Sequence, residues 1–135
     1  MRIVLLSLSV VASLAFGQDL KFCPTPRITE DQWRAYLAQV QATMRELKGD
    51  NKTIFVDEGM RVFRDDATKI VHSFTQPGHA AHPALIFRQP VVRDGKMFIR
   101  QTGCFAGKEE PFADWFRAYE RLNKKISEEI QKQDP

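Results

Sequence analysis

Apolar positions change their spacing along this chain, and the changes mark out its elements. From Thr29 to about Gly49, Trp33, Tyr36, Leu37, Val40, Met44 and Leu47 fall three or four residues apart, the period of one helical face. Thr29 with Gln32 forms a capping box, Glu30 and Asp31 suit the positive end of the helix dipole, and Gly49 is placed to stop the run. The pattern predicts an amphipathic helix reaching Gly49, its stripe serving as core. The last segment, EEPFADWFRAYERLNKKISEEIQKQ, predicts a second helix. Its stripe is Phe112, Trp115, Phe116, Tyr119, Leu122, Ile126 and Ile130, with Pro111 in the first turn. Charges four apart, Glu120 with Lys124 and Glu128 with Lys132, mark its solvated face.

Between the helices the period collapses into short runs rich in β-branched and aromatic residues: TIFV, MRVF, KIVHSF, ALIFRQPVV and KMFIRQTGCF. Turn chemistry separates them at Asp57-Glu58-Gly59, Asp65-Asp66, Pro77-Gly78 and Asp94-Gly95. Arg93-Asp94-Gly95-Lys96 fits a two-residue type I′ hairpin, because Asp and Gly tolerate positive φ. Folding about it sets Val92 opposite Met97 and Pro90 opposite Ile99. Pro90 has no amide hydrogen to donate, so it marks an edge, a bulge or an early end to pairing.

The expected fold class is therefore α+β: an antiparallel sheet of about four or five strands flanked by an N-terminal and a C-terminal amphipathic helix. Both helices are expected on one face. Ile54-Phe55-Val56, Leu85-Ile86-Phe87 and Met97-Phe98-Ile99 then carry apolar groups to a second face. That face would need the N-terminal arm and the histidine loop, or a second chain in a homodimer, to cover it.

Composition adds a location. MRIVLLSLSVVASLAFGQ has one arginine before an apolar run from Ile3 to Phe16, then small residues at Ala15 and Gly17. The run is shorter than the roughly 20 residues a membrane-spanning helix needs. It reads as a signal peptide over residues 1–17, leaving 18–135 as a single domain that is periplasmic or secreted, with no stable membrane insertion after cleavage. An exported chain with two cysteines, Cys23 and Cys104, has one intramolecular disulfide available. The net charge of +3 is too mild for a nucleic-acid partner.

Candidate chemistry concentrates in TQPGHAAHP. Imidazoles at His72, His79 and His82 would suit Zn²⁺ or Cu²⁺, with Asp57, Asp65 or Asp66 as a further ligand. Pro77-Gly78 and Pro83 disfavour the helical turn on which His79 and His82 would converge. In a plainer reading the imidazoles bond the backbone and stiffen an irregular loop. A third makes the loop a protein-recognition surface, with Phe74, Gln76, His79 and His82 as contacts and Arg88 and Arg100 as neighbours on the hairpin. Catalysis is weakly supported. After the leader the serines are Ser73 and Ser127, neither in a nucleophile elbow, and the adjacent acid pairs diverge in direction. The expectation is a small exported binding protein acting by protein–protein recognition, as an inhibitor, immunity-type or accessory factor. A histidine metal-binding protein and a small hydrolase or isomerase are the alternatives.

Overall fold

A computed structural model describes residues 21–48 and 59–133. The expected leader and the TIFV run with Asp57 and Glu58 lie outside the described residues. The element order is α1 (Glu30–Thr43), β1 (Arg45–Leu47), β2 (Met60–Arg64), β3 (Val71–Thr75), β4 (Ala84–Arg93), β5 (Lys96–Phe105) and α2 (Glu109–Gln133). The described strands form one five-stranded sheet in the order β1-β2-β3-β4-β5, every neighbouring pair antiparallel. The α+β class with a helix at each end is as the pattern predicts.

The helices, however, lie on opposite faces rather than on one. Side chains alternate across a strand, and the two core clusters separate along that alternation. Phe63, Phe74, Leu85 and Cys104 meet Ile28, Trp33, Tyr36 and Val40 of the arm and α1. Met60, Val62, Ala84, Ile86 and Phe105 meet Phe112 and Tyr119 of α2. The consecutive apolar residues Leu85-Ile86-Phe87 are thus explained without a second chain: Ile86 points under α2, and Leu85 and Phe87 point under α1 and the arm. A strand covered on both faces reads as a continuous apolar run.

The first helix is also shorter than its stripe. It begins as predicted, with the Thr29 hydroxyl accepting from the Gln32 amide at 3.0 Å and the Gln32 side chain accepting from the Thr29 amide at 2.8 Å. It stops at Thr43, six residues before Gly49. Met44 is already extended (φ −126°, ψ 161°), and Arg45–Leu47 pairs with Arg64–Val62. Tertiary pairing decides this boundary. Glu46 lies opposite Phe63, and its carboxylate takes both forks of Arg61 at 2.8 and 3.0 Å, a geometry unavailable while the segment stays helical.

The arm is tied down at the far side of the sheet. Cys23 and Cys104 form the disulfide, joining residues 81 apart. The Ile28 amide donates to Phe105 O, and the Phe105 amide donates to Pro26 O, each at 2.9 Å. Arg27 therefore makes an isolated parallel bridge to Phe105. The Trp33 indole N–H reaches Ala84 O at 2.9 Å and fixes α1 to the start of β4.

Candidate recognition surfaces

The histidine loop is built inward. Its backbone turns on itself, with the His79 amide donating to Gln76 O and the His82 amide to His79 O, both at 3.0 Å. The Ala81 amide donates to His79 Nδ1 at 3.0 Å, which makes that nitrogen an acceptor. His82 Nδ1 lies 2.8 Å from the Thr75 hydroxyl, which in turn accepts from the Ala84 amide at 2.9 Å. The ring of His79 stands against Trp115 of α2, while that of His82 stands against Trp33 of α1. His72 is elsewhere, buried in the sheet and stacked on Phe87 with centroids 5.2 Å apart. Burial pulls its pKa down to about 4, so the ring is neutral.

The three imidazoles therefore do not converge: each packs against a different aromatic partner, two of them on opposite helices. Among the described residues no group of three His, Cys, Asp or Glu side chains is placed to hold a metal ion. Asp65 and Asp66, named as further ligands, have other work. Asp65 accepts from the Ala67 amide, which holds its carboxyl below the usual range, and Asp66 takes both forks of Arg45.

Of the expected contact residues, Phe74 is not at the surface and Arg88 is half-buried. Phe74 is wholly buried, because its position in β3 faces the α1 core. Arg88 runs beneath α2, with its guanidinium carbon 4.6 Å from the Tyr119 ring centroid and Nη1 donating to Asn123 Oδ1 at 3.3 Å. Its Nε is buried without a hydrogen-bond partner, and desolvation lowers the guanidinium pKa. Gln76 and Arg100 are exposed, and His79 and His82 are half-buried.

The apolar groups that do reach solvent are elsewhere. The exposed large hydrophobics among the described residues are Val92 (73%), Met97 (36%) and Phe98 (37%). All three sit at the end of the β4–β5 hairpin, and strand length is the reason. β4 and β5 each run ten residues, but β3 pairs with β4 only from Leu85 to Arg88. Beyond Arg88 the hairpin continues with no third strand beside it among the described residues. Its turn is as predicted, with Asp94 at φ 52° and Gly95 at φ 76°, and it pairs Val92 with Met97 and Pro90 with Ile99.

A two-residue turn fixes which backbone groups point where. Arg93 and Lys96 bond each other, and so do every second pair down the ladder. Pro90 therefore turns its nitrogen away from β5, toward the side that β3 has left. On β5, the residues facing outward are Met97, Ile99, Gln101 and Gly103. Among the described residues that outer edge is paired only at Phe105, by the arm. Two grooves follow it, between the strand and α2. One of about 350 Å³ lies among Phe98, Ile99, Asn123, Lys124 and Ser127; one of about 540 Å³ lies among Gly103, Phe105, Phe112 and Phe116. No histidine lines either.

Compared with protein-family models, with curated proteins and with solved structures, the chain finds no match.

Proposed function

We propose that this is a small exported protein that works by binding another polypeptide, and that it does so with the β4–β5 hairpin rather than with the histidine loop. The observation that carries the reading is the gathering of Val92, Met97 and Phe98 at the end of a hairpin that outruns its sheet. Exposed apolar side chains on both faces of a hairpin end, beside a strand edge unpaired among the described residues, favour association, since they offer both desolvation and main-chain hydrogen bonds. The histidine loop offers less: His79 is occupied with the Ala81 amide, His82 with the Thr75 hydroxyl, and both rings with indoles. Export is supported by the Cys23–Cys104 disulfide, which suits an oxidising compartment. No described helix is long and apolar enough to cross a membrane.

A photo-crosslinking phenylalanine analogue placed at position 98, and separately at position 76, tests this in cells that produce the protein. Position 98 is expected to give a discrete polypeptide adduct and position 76 none. Adducts from position 76 alone, or from neither, would remove the hairpin from the reading.

A further inference from the structure

Resting on that reading, we infer that the polypeptide received by the hairpin is an acidic, extended segment lying on the face turned away from α2. One carboxylate meets Arg93 and Lys96, a second meets Arg100, and an apolar side chain between them rests on Val91 and Phe98. The argument begins with which side chains share that face. Opposed residues of an antiparallel pair point the same way, and successive residues alternate. Phe87 packs against the α1 core, so Gln89, Val91 and Arg93 follow it on that side, and the register adds Arg100, Phe98 and Lys96 from β5. Along the hairpin that core reaches no further than Phe87 among the described residues. What continues is a platform two strands wide. Its apolar pair, Val91 and Phe98, stands between Gln89–Arg100 on one side and Arg93–Lys96 on the other.

Charge then names the occupant. Within residues 91–100 the cations are Arg93, Lys96 and Arg100, and the only acid is Asp94. All four are exposed, and none makes an ion pair among the described residues. Arg93 leans over the Phe98 ring instead, 6.0 Å from its centroid. Several other arginines are answered from within the chain: Arg34 by Glu30, Arg45 by Asp66, Arg61 by Glu46 and Arg117 by Asp114. Glu120 and Glu128 share a groove with Phe98, but α2 carries them on the other face. Uncompensated cations around an exposed aromatic ring favour an anionic partner with an apolar group to set on the ring. Spacing narrows the choice. At about 3.3 Å per residue, Lys96 and Arg100 stand roughly 13 Å apart along β5. Two carboxylates four residues apart in an extended chain span the same distance, and the residue midway turns its side chain the same way. Phe98 is 37% exposed, with cations on both sides. A partner must reach down between them, which a single chain does and a flat bilayer surface does not.

Short synthetic peptides test this, each with two glutamates and a leucine midway on a serine background. Titrated into the oxidised protein, the peptide with its glutamates four apart should shift the amide resonances of residues 89–100 saturably. Peptides with glutamates two or six apart should bind more weakly, and one with lysines in their place should not bind. Arg100→Glu should weaken the best peptide by about tenfold, and the same variant should regain affinity for a peptide with one glutamate changed to lysine. Lys125→Glu, an equal change of net charge on the exposed side of α2, should leave affinity as it was. Absence of shifts at millimolar peptide overturns the inference, as do shifts confined to other elements or equal losses from Arg100→Glu and Lys125→Glu. Binding to phosphatidylglycerol vesicles that Arg100→Glu abolishes, with no peptide bound, would assign the face to a membrane and overturn it too. A polypeptide adduct at position 98 that survives Arg93→Glu with Arg100→Glu leaves the hairpin as the recognition surface and removes only the acidic segment.

Discussion

His72 shows how a residue that looks like chemistry can be spent on packing. Its ring lies among Phe22, Phe74 and Phe87, and its Nδ1 is buried without a hydrogen-bond partner. Protonating it in place is unfavourable, so its folded pKa of about 4 lies below the ordinary 6.5. The unfolded chain then binds the proton more readily, and acid favours unfolding. The stability this ring contributes in its neutral form is complete above pH 6.5 and is lost as pH falls toward 4, by roughly 3 kcal/mol in all. His72→Phe keeps a ring in the stack and removes the titration. Urea unfolding at pH 7 and pH 4.5 should find that the variant loses less stability across that interval than the native protein does. An equal loss in both would place the acid sensitivity elsewhere. Arg88 is a second such case: a cation beneath α2 with a ring and an amide oxygen for company. Burying a charge without an opposite one costs more than burying an isosteric apolar chain. Arg88→Met should therefore leave stability unchanged or raise it by about 1 kcal/mol, read as a melting temperature that does not fall.

At the level of elements, α2 and the hairpin were legible because their signals are local. A long stripe with charges four apart, and an Asp-Gly turn between apolar runs, each need no distant partner to be interpreted. The end of α1 was not legible. Met44 and Leu47 continue the helical stripe, and what overrides it is a pairing with β2 that lies outside the local pattern. The opposed helices were half visible: Leu85-Ile86-Phe87 announced two covered faces, but not that one helix would take each. The candidate surface was hidden for a similar reason, since the exposure of Met97 and Phe98 depends on β3 ending early. That mismatch has a measurable trace. Amides of β4 from Leu85 to Arg88, flanked on both sides, should exchange with solvent more slowly than those of Val91 to Arg93. The approach of α2 to β5 has another. A Cβ at Gly103 would stand 2.9 Å from Phe112 Cζ, 3.0 Å from Leu85 O and 3.2 Å from Ile86 Cγ1. Gly103→Ala should destabilise the fold by about 1–3 kcal/mol, because the helix must yield. Denaturant titration would measure it.

For the whole molecule, one covalent link joins the arm at one end of the chain to the last strand before α2. Cys23–Cys104 closes a loop of sequence separation 81, and a loop of that length restricts the unfolded chain by about 4–5 kcal/mol. The double change Cys23→Ala with Cys104→Ala should lower stability by an amount of that order, read from denaturant midpoints under oxidising conditions. It should also bare more of β5, because Phe105 would lose the strand segment that Cys23 holds beside it.

The three-residue length of β1 has a last consequence. A long strand at the edge of a sheet can template further chains until a fibril grows. Here β1 is three residues long, and the arginines beside it are held by acids of the same chain, Arg61 by Glu46 and Arg45 by Asp66, so this end of the sheet offers little ladder to an incoming strand.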